Sequence, residues 1–185
     1  MRSRRNAKLG GASEDVPSSE VDSATAEQAE RKAVEATAVR LLARREHSVE
    51  ELRRKLSARG YSEAAVETVL SKLQAKRLVS DDRFVAGFIH HHAQRGQGPI
   101  RIRAELRQQG IAANLVDAAL DEADVDWLAQ ARVVHRRKFG SAPSRSLAER
   151  AKQARFLQYR GFSSDQIRAV LKADTDTGLD LDPDA

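Results

Sequence analysis

A glycine in one fixed setting occurs three times in this chain, as Gly60, Gly110 and Gly161. Each is followed by an apolar residue (Tyr61, Ile111, Phe162) and preceded at the fourth position by a leucine (Leu56, Leu106, Leu157). Val66, Val116 and Ile167 follow at the sixth position, and the pairs Val69-Leu70, Ala119-Leu120 and Val170-Leu171 come at the ninth and tenth. A register repeated at about 50 residues is the mark of stacked supersecondary units, none of which buries its apolar face alone.

Around each glycine the pattern reads helix, stop, helix. Ser48 opens Ser48-Val49-Glu50-Glu51, a capping box in which the hydroxyl takes an orphan N–H and Glu51 is expected to reach back. Leu52 and Leu56 continue as a buried stripe. Gly60 then supplies the left-handed residue that ends a helix, and Ser62 begins the next one with Val66, Val69, Leu70 and Leu73 on a single face. The second unit uses Gly98-Pro99, with proline at the first helical position, then Ile102 and Leu106 before Gly110. The third has capping boxes at Ser146 with Glu149 and at Ser163 with Gln166. A further amphipathic helix precedes each pair, over about 27–45, 81–95 and 124–139. No window alternates apolar and polar residues for long enough to suggest a strand. The fold class is therefore all-α, with three tandem three-helix repeats over 27–79, 80–123 and 124–173. The tails, 1–26 and 174–185, are too poor in large apolar residues to offset their ordering entropy and are expected to be disordered.

Aromatic residues make up 4% of the chain, so each unit has a thin core and is expected to lean on its neighbours, with some hinge motion between units. There is no cysteine, hence no disulfide or thiolate chemistry. No apolar run approaches the length of a membrane span, and no hydrophobic segment follows Met1-Arg2-Ser3-Arg4-Arg5. A cytoplasmic protein is the expectation.

The net charge of +5 is unevenly spread. Residues 31–77 hold 12 basic and 6 acidic side chains, residues 78–123 hold 5 and 6, and residues 124–173 hold 11 and 4. The outer units are basic and the middle one near neutral. Candidate contacts to DNA phosphate or acidic protein are Arg53, Arg54, Lys55 and Arg59 in the first unit. In the third they are Arg132, Arg136, Arg137, Lys138, Arg150, Lys152 and Arg155. The competing reading of any one cluster is a solvated helix face with local ion pairs.

Catalytic constellations are missing. No Gly-x-x-x-x-Gly-Lys-Ser/Thr loop occurs, and Gly96-Gln97-Gly98 is better read as the break between two helices. His90, His91 and His92 point about 100° apart on a helix and do not converge on one ion. Asp81-Asp82 reads as the cap of the helix that begins there, and Trp127 as a core anchor. Neither an enzyme nor a cofactor is expected.

Ser80-Asp81-Asp82-Arg83-Phe84, Phe88-Ile89, Gly96-Gln97-Gly98-Pro99, Ile102, Glu105-Leu106 and Gly110-Ile111 resemble the central signature of the RecX regulatory proteins. Arg155-Phe156-Leu157-Gln158-Tyr159-Arg160-Gly161-Phe162 resembles that family's C-terminal motif, and Leu41 to Ser48 with Glu51, Leu52 and Leu56 its N-terminal one. His92 stands where the family tends to carry arginine. The resemblance implies an elongated, curved molecule that binds the RecA recombinase and its filament on single-stranded DNA. It further implies lodging in the filament groove and restraint of ATP hydrolysis, strand exchange and filament extension, with no catalytic site. Direct contact with single-stranded DNA would be weaker and electrostatic, and a monomer is expected. Two alternatives remain: a stand-alone basic DNA-binding protein, and a helical scaffold for another partner.

Overall fold

The computed structural model describes residues 18–140 and 146–176. Among them are nine α-helices and no strand. The helices are α1 (Ser18–Leu42), α2 (Val49–Ser57), α3 (Glu63–Ala75), α4 (Asp81–Gln94), α5 (Pro99–Gln108), α6 (Ala113–Glu122), α7 (Trp127–Phe139), α8 (Leu147–Arg160) and α9 (Ser164–Asp176). They pack as α1–α3, α4–α6 and α7–α9, each triplet around its own core.

The helix before each glycine brings its leucine to full burial: Leu56, Leu106 and Leu157 are all 0% exposed. Val34, Ala38, Leu52, Val66, Leu70 and Leu73 close the first core. Phe84, Val85, Ile89, Ile102, Val116 and Leu120 close the second, with Trp127 packed against it from α7. Ala131, Phe162, Ile167, Val170 and Leu171 surround Leu157 in the third. All three repeat glycines have positive φ, at 84°, 83° and 89°. In the second and third units the stop is completed in the same way: Ile111 N–H donates to Leu106 C=O at 3.2 Å, and Phe162 N–H to Leu157 C=O at 3.1 Å.

The first helix departs from expectation at its start. It begins at Ser18, inside the segment expected to be disordered, and α9 likewise runs to Asp176. Ala24, Ala26, Glu27, Gln28, Ala29 and Glu30 are good helix formers, and a helix already anchored by Val34 and Ala38 extends at little cost. The remainder of both tails, 1–17 and 177–185, lies outside the described residues.

The serine caps form, but distant residues complete them. Ser48 Oγ accepts Glu51 N–H at 3.0 Å, yet Glu51 does not return the bond among the described contacts. Instead Val49 N–H donates to Asp81 Oδ1 at 2.9 Å, so an aspartate of α4 caps α2 across the boundary between triplets. Asp81 was expected to serve only its own helix, whose N-cap is Ser80. Ser62 is likewise bound by Glu30 of α1, at 2.7 Å through both N–H and Oγ. Ser163 and Gln166 form the reciprocal box, at 2.8 and 3.2 Å.

The junction of the second and third triplets is made by backbone. Gly98 N–H donates to Arg160 C=O at 2.8 Å, and Ile100 N–H to Gly161 C=O at 3.0 Å. The carbonyl end of α8 thus caps the N-terminus of α5, where Gly98 offers no side chain and Pro99 has no N–H to satisfy. The opposed partial charges of the two helix ends favour this arrangement. Gly96-Gln97-Gly98 is therefore a docking surface as well as a helix break. Gly161 stops a helix and also lets a second backbone approach: a Cβ there would lie 2.3 Å from Arg101 Cβ and 2.5 Å from Arg101 N.

Candidate functional site

Ion pairing separates the two basic clusters that the sequence singled out. In the first triplet Arg53 Nε lies 2.5 Å from Glu67 Oε1, and its guanidinium also pairs with Glu50. Glu67 is held below the usual carboxylate range by that hydrogen bond. Lys55 Nζ is 3.4 Å from Glu51, and Arg59 donates to Lys55 C=O at 2.7 Å. Arg54 is exposed and forms no ion pair among the described residues. Glu51 is the hub of this end. Burial pushes its carboxyl up, but the Arg45 guanidinium and His47 outweigh burial and hold it at about 2. His47 is 2% exposed, with Nδ1 2.9 Å from Glu51 Oε2, close enough for an ion pair though misaligned for a hydrogen bond. Of the four cations expected here, Arg53 and Lys55 are thus matched by carboxylates, whereas Arg54 and Arg59 form no ion pair among the described residues.

The third triplet differs. Between the end of α4 and the faces of α7 and α8 lies a cleft lined by Arg95, Arg137, Lys138, Arg160, Val134 and Phe156. It continues past Gln97 and Arg101 to Tyr159. No carboxylate lines either part. Arg95, Arg137, Lys138 and Arg160 form no ion pair among the described residues. Arg160 instead donates to Arg95 C=O at 3.3 Å and sits 5.5 Å over the Phe156 ring. Arg101 is paired with Glu105 at 2.8 Å and lies 5.4 Å over the ring of Tyr159, which is 75% exposed.

The cleft gathers only part of the expected set. Arg137 and Lys138 line it. Lys152 and Arg155 stand one helical turn before Phe156 and Tyr159 on α8. Arg150 is half-buried, and Arg132 and Arg136 are turned about 100° round α7 from Val133 and Arg137. No described hydrogen bond or ion pair links the first-triplet cluster with this cleft. Arg95, Arg160, Phe156 and Tyr159 were missed as a set. Their signal was the run Phe156-Leu157-Gln158-Tyr159-Arg160-Gly161, in which both rings and a cation precede a glycine that meets another backbone.

The three histidines go separate ways. His90 meets Gln94 at 2.8 Å, and His91 lies 3.5 Å from Arg95. His92 stacks on Phe88, with ring centres 3.8 Å apart, and bonds Gln97 at 2.5 Å. His92 thus braces the loop that carries Gly96 and Gly98. Among the described residues no three His, Asp or Glu side chains are grouped to hold a metal ion, and no helix is long and apolar enough to cross a membrane.

Three triplets in series, joined by helix-end capping and bearing a basic cleft at the second junction, define a tandem three-helix repeat protein. Family models for the first, second and third three-helix domains of RecX match residues 36–73, 80–120 and 124–171. The chain belongs to the RecX family of regulatory proteins. It is 47% identical over 142 residues to the regulatory protein RecX of Halorhodospira halophila, covering 77% of this chain and 88% of that one. It is 45% identical over 139 residues to that of Pseudomonas fluorescens Pf-5, covering 75% and 90%. The crystal structure of RecX from Lactobacillus salivarius superposes with a TM-score of 0.71 at 18% identity, over 80% of this chain and 98% of that one. A second crystal structure of a regulatory protein RecX gives 0.72 at 23%, over 90% and 81%.

Proposed function

We propose that this protein binds the RecA recombinase and its single-stranded-DNA filament, acting as a monomer without a cofactor. Lodged in the filament groove, it restrains ATP hydrolysis, strand exchange and filament extension. Family membership supports the partner. The carboxylate-free cleft between the second and third triplets supports the place of contact, because unmatched cations are what a phosphate backbone or an acidic protein surface requires. On this reading Arg137, Lys138, Lys152 and Arg155 contact the partner with Arg95 and Arg160. Arg53 and Lys55 serve the fold of the first triplet.

The test is ATP turnover by RecA on single-stranded DNA with the protein added at substoichiometric amounts. Turnover falls with the native chain and with Arg53→Ala, and recovers with Arg137→Glu/Lys138→Glu. Unchanged turnover with the native chain, or full inhibition by the folded double variant, refutes the assignment. The exposed Tyr159 ring beside these cations also favours a second reading, direct binding of single-stranded DNA without recombinase. Four phosphates neutralised by the cleft predict a slope of about −3 in log affinity against log salt.

A further inference from the structure

Elsewhere on its surface this chain matches many of its cations: Arg53 with Glu50 and Glu67, Lys72 with Glu35, Arg83 with Glu46, Arg103 with Asp117. The cleft between α4, α7 and α8 instead gathers four cations, Arg95, Arg137, Lys138 and Arg160, around a lining that holds no carboxylate. Its remaining walls are apolar, from Val133, Val134 and Phe156, and Val133 is 45% exposed. Such a surface fits an extended peptide that alternates acidic and apolar side chains.

One such segment exists in the chain. Residues 174–185 contain Asp174, Asp176, Asp180, Asp182 and Asp184 and no lysine or arginine. Within them Leu179-Asp180-Leu181-Asp182-Pro183-Asp184 alternates strictly, so in extended backbone its three aspartates share one side and both leucines the other. Pro183 biases the residue before it toward that conformation. We propose that residues 179–184 dock in the cleft of the same molecule. The aspartates meet Arg95, Arg137, Lys138 and Arg160, and the leucines meet Val133, Val134 and Phe156.

Chain length allows it. The seam lies at Gly161, and α9 starts directly after it at Ser164. Its 13 residues carry the chain about 20 Å away. Beyond Asp176 each extended residue returns up to about 3.3 Å, so Asp180 reaches back about 13 Å, Asp182 about 20 Å and Asp184 about 26 Å, which places Asp182 and Asp184 nearest the seam. The helix packs against both α7 and α8, which keeps the path short. Docked in this way, the tail competes with any other polyanion for the cleft. That regulatory consequence rests on the working surface proposed above, whereas the docking does not.

Zero-length carbodiimide crosslinking of the full chain, followed by peptide mass analysis of the monomer band, tests the docking directly. Lys138 is the lysine that lines the cleft, and an amide from it to Asp180, Asp182 or Asp184 is expected. Lys138→Arg removes the amide while keeping the charge. The variant Asp180→Asn/Asp182→Asn/Asp184→Asn should bind a fluorescent oligothymidylate about five- to tenfold more tightly at low salt, without recombinase. Tail crosslinks confined to Lys55 or Lys72, or no intramolecular tail crosslink, overturns the docking, and equal oligonucleotide affinity of the two chains overturns its regulatory consequence. The crosslink needs neither RecA nor DNA, so a chain inert toward RecA that still forms the amide retains this inference and loses the other.

Discussion

Gly60 and Gly161 have nearly the same backbone angle but very different surroundings, which makes the pair an internal control. At Gly60, φ is 84° and an added Cβ meets nothing within 4 Å. Gly60→Ala should therefore cost only the left-handed penalty, about 1–2 kcal/mol. At Gly161, φ is 89° and the Cβ would lie 2.5 Å from the Arg101 backbone nitrogen and 2.9 Å from its Cα. Backbone cannot rotate away as a side chain does, so α5 and α8 must separate. Separation strains or breaks the bonds from Gly98 and Ile100, worth about 1 kcal/mol each. The expected loss is about 3–4 kcal/mol for Gly161→Ala. Urea denaturation followed by circular dichroism measures both variants against the native chain. Losses that agree within about 0.5 kcal/mol, the scale of an ordinary surface change, would refute the claim that Gly161 is a docking point.

Three further outcomes are expected. Leu56→Ala, Leu106→Ala and Leu157→Ala should each destabilise by about 2–5 kcal/mol, since all three are fully buried, and a loss under about 0.5 kcal/mol at all three removes them from the cores. Asp81→Ala should cost about 1 kcal/mol by uncapping Val49, and Asp81→Asn should restore part of it; identical stability of native and alanine chains counts against cross-triplet capping. Glu51 has a folded pKa depressed from 4.5 to about 2, so its contribution is present above pH 4.5 and is lost as pH falls toward 2. Glu51→Gln should therefore lower stability at pH 7 by roughly 2 kcal/mol and flatten the acid limb of the stability profile, and an unchanged acid limb rules out this role.

Most of the fold was legible because the signals that define it are local. The spacing of Leu52, Leu56, Val66, Leu70 and Leu73 names both helices and their buried face, and Gly60 names the stop between them. Ser48, Ser62, Ser146 and Ser163 all accept the backbone bond that their position predicts, whereas the cap read onto Asp81-Asp82 falls to Ser80. What could not be read is which distant groups finish those caps. Glu30 reaches Ser62 and Asp81 reaches Val49 across 32 residues each, and no periodicity encodes that meeting. The same limit applies to the candidate site. Counting charges made Arg53 a candidate contact and could not show its pairing with Glu67, which lies 14 residues away on another helix. Arg95 and Arg160 join one cleft only because α8 ends on α5, a contact made by backbone atoms that every residue type shares.

That contact also bears on how the chain is made. Synthesis runs from the N-terminus, so the first triplet and the residues through Glu122 leave the ribosome before the carbonyls of Arg160 and Gly161 exist. At about 5–20 residues per second, the first turn of α5 waits roughly 3–12 s for its cap. Over that interval the nascent second triplet holds its amide groups open to water or to a chaperone. A stop codon placed before Arg160 would release a chain in which the first turn of α5 never meets this cap.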